Sequence, residues 1–389
     1  MHTPTVRTGL VFALLQLFFT LTWTVYVIFL PQLVVQAGLP KSAVIWILLL
    51  DQLVFVFADW AMGAKADRAA QVVGRLGPLI GLITLVSAIA FLLLPFAAPQ
   101  GSPLLLLALT LVWTITSSAL RAPPLVLIGK YAAAGAKPWL SASWLFGLGV
   151  AGALAPYLTI QLRDMDPRLP FALSAIAVAV AAWGMAWAER HLASETPAAA
   201  PPPAKPLPVA TFLLVVVLVA LGFQVHFALN SAPLYLRHAT PAELGQLMPL
   251  FWVGFNLAML PLTWAIRRHG DFKVMAAGAL VGVIAVIASA QAPGLQALIA
   301  AQVIAGAAWA AIIFGAFGAA MALGHTGREG YSCGGMHAMF AVAALLRIGV
   351  VALQLHQLPG FASQLTLLPA LSWGLAALLL IAALARSRG

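Results

Sequence analysis

Residues 189–207 read ERHLASETPAAAPPPAKPL. Pro197, Pro201, Pro202, Pro203 and Pro206 preclude a helix there and favour an extended, solvated segment. On both sides of this break the chain turns apolar. Six runs precede it and six follow it, each close to the ~20 residues that a helix needs to cross a hydrocarbon core. They cover about 9–30, 42–62, 77–97, 103–127, 139–161, 169–188, 208–230, 244–266, 273–291, 294–322, 333–356 and 363–385, and are numbered spans one to twelve. Proline, glycine or charge separates them, as at Pro31 to Lys41, Gly63 to Arg75 and Pro99 to Gly101.

Composition supports the same reading. Of 389 residues, 63% are hydrophobic and 8% charged, with a mean hydropathy of +1.01. Soluble domains carry roughly 25% charged residues, so this chain has too few charges to cover a wetted surface. A soluble enzyme is excluded on that ground. A nucleic-acid binder is excluded because the net charge of +10 comes from singly scattered basic residues. One cysteine, Cys333, excludes a disulfide scaffold. No alternating ~10-residue strands suggest a transmembrane barrel. The first run lacks a small-residue cleavage site and reads as a retained helix.

Lysine and arginine placement sets the expected orientation. With the N-terminus in the cytoplasm, 14 fall on the cytoplasmic side, 4 on the outer side and 2, Arg121 and Arg347, inside spans. The expectation is a multi-pass protein of the cytoplasmic membrane with both termini cytoplasmic. Its domains are a bundle over 1–188, a cytoplasmic linker over 189–207 and a second bundle over 208–389. The fold class is all-α, twelve transmembrane helices in two pseudo-symmetric six-helix bundles, with a site between them.

Between spans two and three stands Gly63-Ala64-Lys65-Ala66-Asp67-Arg68. This resembles the loop motif G-x-L-A-D-R-x-G-R-K of the major facilitator superfamily of secondary transporters. Gly63, Ala66, Asp67 and Arg68 match, Lys65 replaces the usual Leu, and Gly74-Arg75 arrives late. Arg267-Arg268-His269-Gly270 is a weak echo in the second half. A glycine ends the helix and permits close backbone approach, and Asp67 is suited to a helix N-terminus. The resemblance implies that this helix is span eleven and that the contact latches the bundles when the outer side is open. Span five, with Gly147, Ala151 and Ala155 every fourth residue before Pro156, is similar to the glycine-rich run of the superfamily's antiporters. That similarity favours export.

Charges inside spans cost roughly 2.5–3.5 kcal/mol on insertion scales and mark functional candidates. Asp51 lies roughly 13 Å below the outer surface at 1.5 Å per residue. Arg347 lies roughly 21 Å up a core about 30 Å thick, at a matching depth. The superfamily fold brings spans two and eleven together on the outer side, which implies an Asp51–Arg347 pair across the interface. The pair serves either as a closed gate or as a proton-coupling device. Asp59 and Arg121 form a second expected pair on the inner side, supporting the Asp67 loop or relaying protons.

Candidate substrate contacts near the midplane are Gln16, Trp23 and Tyr26 of span one, Gln224, His226 and Asn230 of span seven, Asn256 of span eight, and Gln302 and Trp309 of span ten. Gln16 and Trp23 share a helix face. His226 is also suited to an interhelical hydrogen bond, and Asn256 to interhelical glue. Trp46, Trp60, Trp139, Trp183, Trp187 and Trp264 sit near span ends, as interface anchors do. Several aromatics and few charges favour a neutral or weakly charged organic solute, aromatic or amphipathic. Met336, His337 and Met339 near Cys333 have the donor types for Cu(I), though methionine is ordinary filler in apolar helices. No zinc-ligand spacing, phosphate loop or nucleotide fingerprint occurs, so no cofactor and no enzymatic activity are expected.

The expected function is therefore proton-coupled export of a small organic solute by alternating access. The expected partners are that solute, protons and the bilayer, with no nucleic acid and no obligate protein partner. Import of a nutrient, a cofactor precursor or copper is the alternative transport reading. A sensor on a transporter scaffold is the alternative from another class.

Overall fold

A computed structural model describes residues 3–194, 207–325 and 327–386, and the side chains of all of these except 3–5, 362 and 363. The linker prolines from Pro197 to Pro206 lie outside the described residues. Twelve helices long and apolar enough to cross a bilayer run through the rest: Val6–Gln36, Ala43–Ala69, Leu76–Gln100, Pro103–Tyr131, Lys137–Leu162, Arg168–Ser194, Val209–Tyr235, Pro241–His269, Asp271–Ala290, Leu295–Leu323, Glu329–Ala352 and Pro359–Arg386. The chain is a multi-pass membrane protein. These are spans one to twelve below. The end at which span six finishes and span seven begins is called the linker end.

Several helices outrun their apolar cores. Span one continues through Pro31 to Gln36, although Pro31 was expected to begin a separator. A proline near a helix terminus forfeits only one backbone bond, which does not stop the helix. Span two continues past Gly63 to Ala69, so Gly63 does not end the helix. Ala64, Lys65, Ala66 and Arg68 are good helix formers, and the turn comes afterwards, where Gly74 takes φ 86°.

Two spans are interrupted. Span four consists of a helix Pro103–Ser117, a 3-10 turn Ser118–Leu120 and a helix Pro123–Tyr131. Pro123 and Pro124 start the last piece, and the residues before them cannot continue the helical bonds. Arg121 sits in this joint. Span seven carries a π-helical segment His226–Asn230 before its final turn Ser231–Tyr235, a feature frequent at functional sites.

Span one packs on spans five and six, and span three on spans four and six. In the other half, span seven packs on eleven and twelve, and span ten on eight and nine. The halves meet where span two lies along eleven and five along eight, and where the linker-end part of span four reaches ten and eleven. Polar side chains tie the linker-end turns. Glu189 accepts from the backbone N–H groups of Leu76 and Gly77 at 3.2 and 2.8 Å, satisfying donors that the start of span three leaves free. The Ala70 carbonyl accepts from the Tyr131 hydroxyl at 2.7 Å and from Lys130 Nζ. Trp46, Trp183, Trp187 and Trp264 are exposed on the periphery. Trp60, expected among them, instead packs on Tyr331 of span eleven with ring centroids 5.3 Å apart.

Candidate functional site

At the linker end, spans two and eleven touch backbone to backbone. A Cβ on Gly63 would overlap the Gly330 carbonyl, and one on Gly330 would overlap the Gly63 carbonyl. This approach brings the first turn of span eleven to Asp67. Its Oδ1 accepts from the Gly330 N–H at 2.6 Å and its Oδ2 from the Tyr331 N–H at 2.9 Å. A carboxylate on the free N–H groups of a helix start gains from both the bonds and the helix dipole. Arg68 beside it is exposed.

Asp51, one span-length away towards the opposite end, is wholly buried. The Tyr26 hydroxyl donates to its Oδ2 at 2.9 Å and the Thr114 hydroxyl to its Oδ1 at 2.8 Å. Spans one, two and four thus converge on one carboxylate. Aromatic rings close over it: Tyr26 lies 4.6 Å from Trp113, and Trp23 stacks on Trp113 at 5.7 Å. Tyr26, Trp113 and Phe55 are buried, whereas Trp23 is partly exposed.

Between these two acids lies Asp59, also wholly buried, 3.1 Å from Arg121 Nη1. The Arg121 guanidinium lies over the Phe55 ring, 4.5 Å from its centre. It also acts electrostatically on His337 of span eleven, so this pair faces the other half. His337 Nδ1 lies 2.9 Å from the Cys333 carbonyl. A carbonyl only accepts, so Nδ1 carries the proton. Met336 and Cys333 are fully buried. Among the described residues, no group of three or more His, Cys, Asp or Glu side chains is placed to hold a metal ion.

The expected Asp51–Arg347 pair is not formed. Among the described residues, the Asp59–Arg121 pair is the only ion pair recorded. Arg347 instead donates its Nε–H to Gln224 Oε1 of span seven at 3.2 Å. The reason is azimuth. Asp51 and Asp67 are sixteen residues apart, and at about 100° per residue this places them about 160° apart around the helix. Asp67 faces span eleven, so Asp51 points into its own half. Arg347 is likewise rotated by about 100° from Gly330 and faces span seven. Agreement in depth alone does not make a pair.

The other candidates divide into two groups. His226 is buried and its Nε2 lies 3.1 Å from Gln302 Oε1, while Ser231 donates to the His226 carbonyl at 2.9 Å. Asn230 donates to the Leu365 carbonyl at 2.9 Å. These two tie span seven to spans ten and twelve. Trp309 is buried in a stack, 4.3 Å from Phe223 and 6.4 Å from Trp373. Gln16 and Asn256 differ: each has one buried amide oxygen with no hydrogen-bond partner among the described residues. Gln16 spends its Nε2 on Thr20 at 3.1 Å, and Asn256 its Nδ2 on the Trp252 carbonyl at 2.9 Å. The Asn256 amide rests against Gly149 of span five, where a Cβ would meet Oδ1 at 2.5 Å. Span five needs a glycine there for span eight to approach.

Two cavities flank the seams. One of about 420 Å³ opens at the linker end between the halves, lined by Lys137, Ser141, Arg267, Asp271, Gly318 and His325 among others. The other, of about 520 Å³, lies nearer the opposite end between spans two and eleven and is lined by Trp46, Leu50, Leu53, Leu346, Gly349 and Val350 among others. Gln224 and Gln302 were polar candidates from sequence, whereas Thr114 and the π segment were not singled out as site features. Polar side chains at span depth were their only signal.

No protein-family model matches the chain, and no curated protein sequence does. Solved structures do. The human organic anion transporter MFSD10 (TETRAN) superposes with a TM-score of 0.75 at 15% identity, over 97% of this chain and 100% of that one. The E. coli fucose:proton symporter FucP gives 0.64 at 15% identity, over 97% and 98%. The major facilitator superfamily proton:xylose symporter XylE gives 0.67 at 13% identity, over 96% and 94%. At these identities the likeness establishes the fold, which is that of major facilitator transporters.

Proposed function

We propose that this chain is a proton-coupled secondary transporter that exports a small organic solute across the cytoplasmic membrane by alternating access, its two halves rocking about a site between them. The observation that carries the reading is Asp51, a carboxylate wholly buried within the span region, held by two hydroxyls and by no cation among the described residues. Such a group is costly in a bilayer unless it has a task. Ionised, Asp51 accepts from both Tyr26 and Thr114. Protonated, it becomes a donor, and one of the two hydroxyls must turn. Tyr26 and Trp23 share the ring cluster over Asp51, so a proton there is felt at the partly exposed Trp23.

The solute is neutral or weakly charged and amphipathic. Trp23 offers it a ring face, and the unpartnered oxygens of Gln16 and Asn256 offer it acceptors. Asp67 of span two, bonded to the start of span eleven, holds the linker end shut, and its release opens that end to the cytoplasm, where both termini lie. The superposed transporters act on organic anions, fucose and xylose, so they favour transport as a class and select no solute.

The test is flux in proteoliposomes under an imposed pH gradient, with solutes first chosen by thermal stabilisation. A ligand at a hundred times its Kd stabilises by about 2.7 kcal/mol. Solute movement against its own gradient, driven by the pH difference, is the expected result. Binding with no flux contradicts transport and leaves the sensor reading.

A further inference from the structure

We propose that Arg347 and Gln224 form a recognition site for the carboxylate of an amphipathic organic monoanion, whose apolar body lies against the partly exposed rings of Phe340 and Phe223, which Trp309 backs from behind. This deepens the transport reading by naming the substrate class, and it rests on that reading only for the movement of the ligand.

Arg347 lies within span eleven and is partly exposed. No carboxylate among the described residues lies within ion-pair distance of it. The in-span acid nearest in depth, Asp51, is already bonded by Tyr26 and Thr114 in the other half. A guanidinium has five N–H donors. Gln224 takes the one on Nε, which fixes the plane of the group without neutralising it. The Nη donors remain in a fork that matches a carboxylate bidentately. An arginine kept in a bilayer span without its own acid is a site for an anion brought from outside.

The surroundings define the rest of the ligand. Phe340 lies two helical turns from Arg347 on the same stripe of span eleven, about 10 Å towards the linker end. Its ring is edge-on to Trp309 at 6.4 Å, and Trp309 stacks on Phe223 at 4.3 Å. Phe223 precedes Gln224 on span seven, about 100° around the helix from it, so its ring lies at the depth of the guanidinium. Phe223 and Phe340 are partly exposed. One cation at the head of such a row suits one negative charge on an aromatic or aliphatic body. A dianion would leave a charge unpaired.

The test uses the purified full chain and two probes of the same shape, naphthylacetate and its neutral amide, at a pH well above the carboxylate range. The wild type is expected to bind the acid at least roughly tenfold more tightly than the amide. Arg347→Gln is expected to bring the acid down to the level of the amide, with a much smaller change in amide binding, which loses only a neutral hydrogen bond. Arg347→Lys keeps part of the preference, because it keeps the charge and loses the fork. Equal binding of acid and amide by the wild type, no binding of either, or an unchanged preference in Arg347→Gln overturns the site. The wild-type comparison needs no variant to fold. It also needs no pH gradient: loss of the acid preference with proton-driven flux intact overturns this site alone, and loss of flux with the preference intact overturns the transport reading alone.

Discussion

The Tyr26 hydroxyl donates to Asp51 Oδ2 at 2.9 Å, across two spans of the same half. With Thr114 on the other oxygen, the carboxylate is satisfied without any group from spans seven to twelve. In the proposed coupling, a proton arriving at Asp51 acts first within the first six spans, through the rings packed on Tyr26, and reaches the seams through their packing.

Tyr26→Phe keeps the ring and removes this donor. It is expected to cost about 1–3 kcal/mol, the range for leaving a buried polar group unpartnered. In an Asp51→Asn background the same change is expected to cost clearly less, because the partner charge is gone. Thermal unfolding of the two single variants and the double variant measures the difference, and strictly additive losses would contradict a direct coupling.

The linker-end latch is tested at Gly63 and Asp67. Gly63→Leu forces spans two and eleven apart, since even a Cβ there overlaps the Gly330 carbonyl. Asp67→Ala removes two charge-assisted bonds from the start of span eleven. Asp67 is half-buried, so about 1–2 kcal/mol is expected, roughly a tenfold shift in the equilibrium between the two facing states. Labelling of a cysteine placed in the linker-end cavity, at Ala322, reports the shift. Both variants are expected to speed labelling, and unchanged rates would remove Asp67 from the gate.

Arg121 and Asp59 form an ion pair in which the acid has no exposure. Arg121→Gln leaves a buried charge behind and is expected to cost about 3–5 kcal/mol. Asp59→Asn combined with Arg121→Gln is expected to recover most of that loss, because no uncompensated charge remains. A double variant as unstable as Arg121→Gln would show that the guanidinium acts through Phe55 and His337 and not through Asp59.

The break at 189–207, the apolar runs and the Asp67 motif made the twelve-span architecture legible in the residues. What the span boundaries alone did not supply was direction around each helix. Asp51 and Arg347 match in depth but not in azimuth. The 3.6-residue period places Asp51 about 160° from Asp67, so the mismatch was available once Asp67 was put on span eleven. Gln224 and Thr114, the partners those charges do have, carry no spacing signal, because they are fixed by how spans seven and four pack. Trp60 looked like an interface anchor for the same reason: its position near a span end was visible, but the presence of Tyr331 beside it was not. Gly63 ends no helix, since its role is close approach and its neighbours favour the helix.

His226 separates a structural group from a ligand contact. Its Nε2 meets Gln302, and its carbonyl accepts from Ser231. His226→Ala leaves the Gln302 amide with Ser231 alone, at 3.3 Å, and is expected to cost about 2–4 kcal/mol in stability, from the lost partner and the cavity together. The KM for a transported solute is expected to stay within about twofold, less than the loss of a single net hydrogen bond to the solute would produce. A large rise in KM with unchanged stability would place His226 at the solute instead.

The most direct test of the account is solute flux by Asp51→Asn in proteoliposomes, with and without an imposed pH gradient. Asparagine keeps the shape of the site and mimics the protonated acid, its oxygen accepting from one hydroxyl and its amide group donating to the other once that hydroxyl turns, but it does not bind a proton in this range. The account predicts that gradient-driven accumulation disappears, while ligand binding and downhill exchange of solute persist at rates within about an order of magnitude of wild type. Undiminished accumulation under the pH gradient in this variant would contradict proton coupling through Asp51.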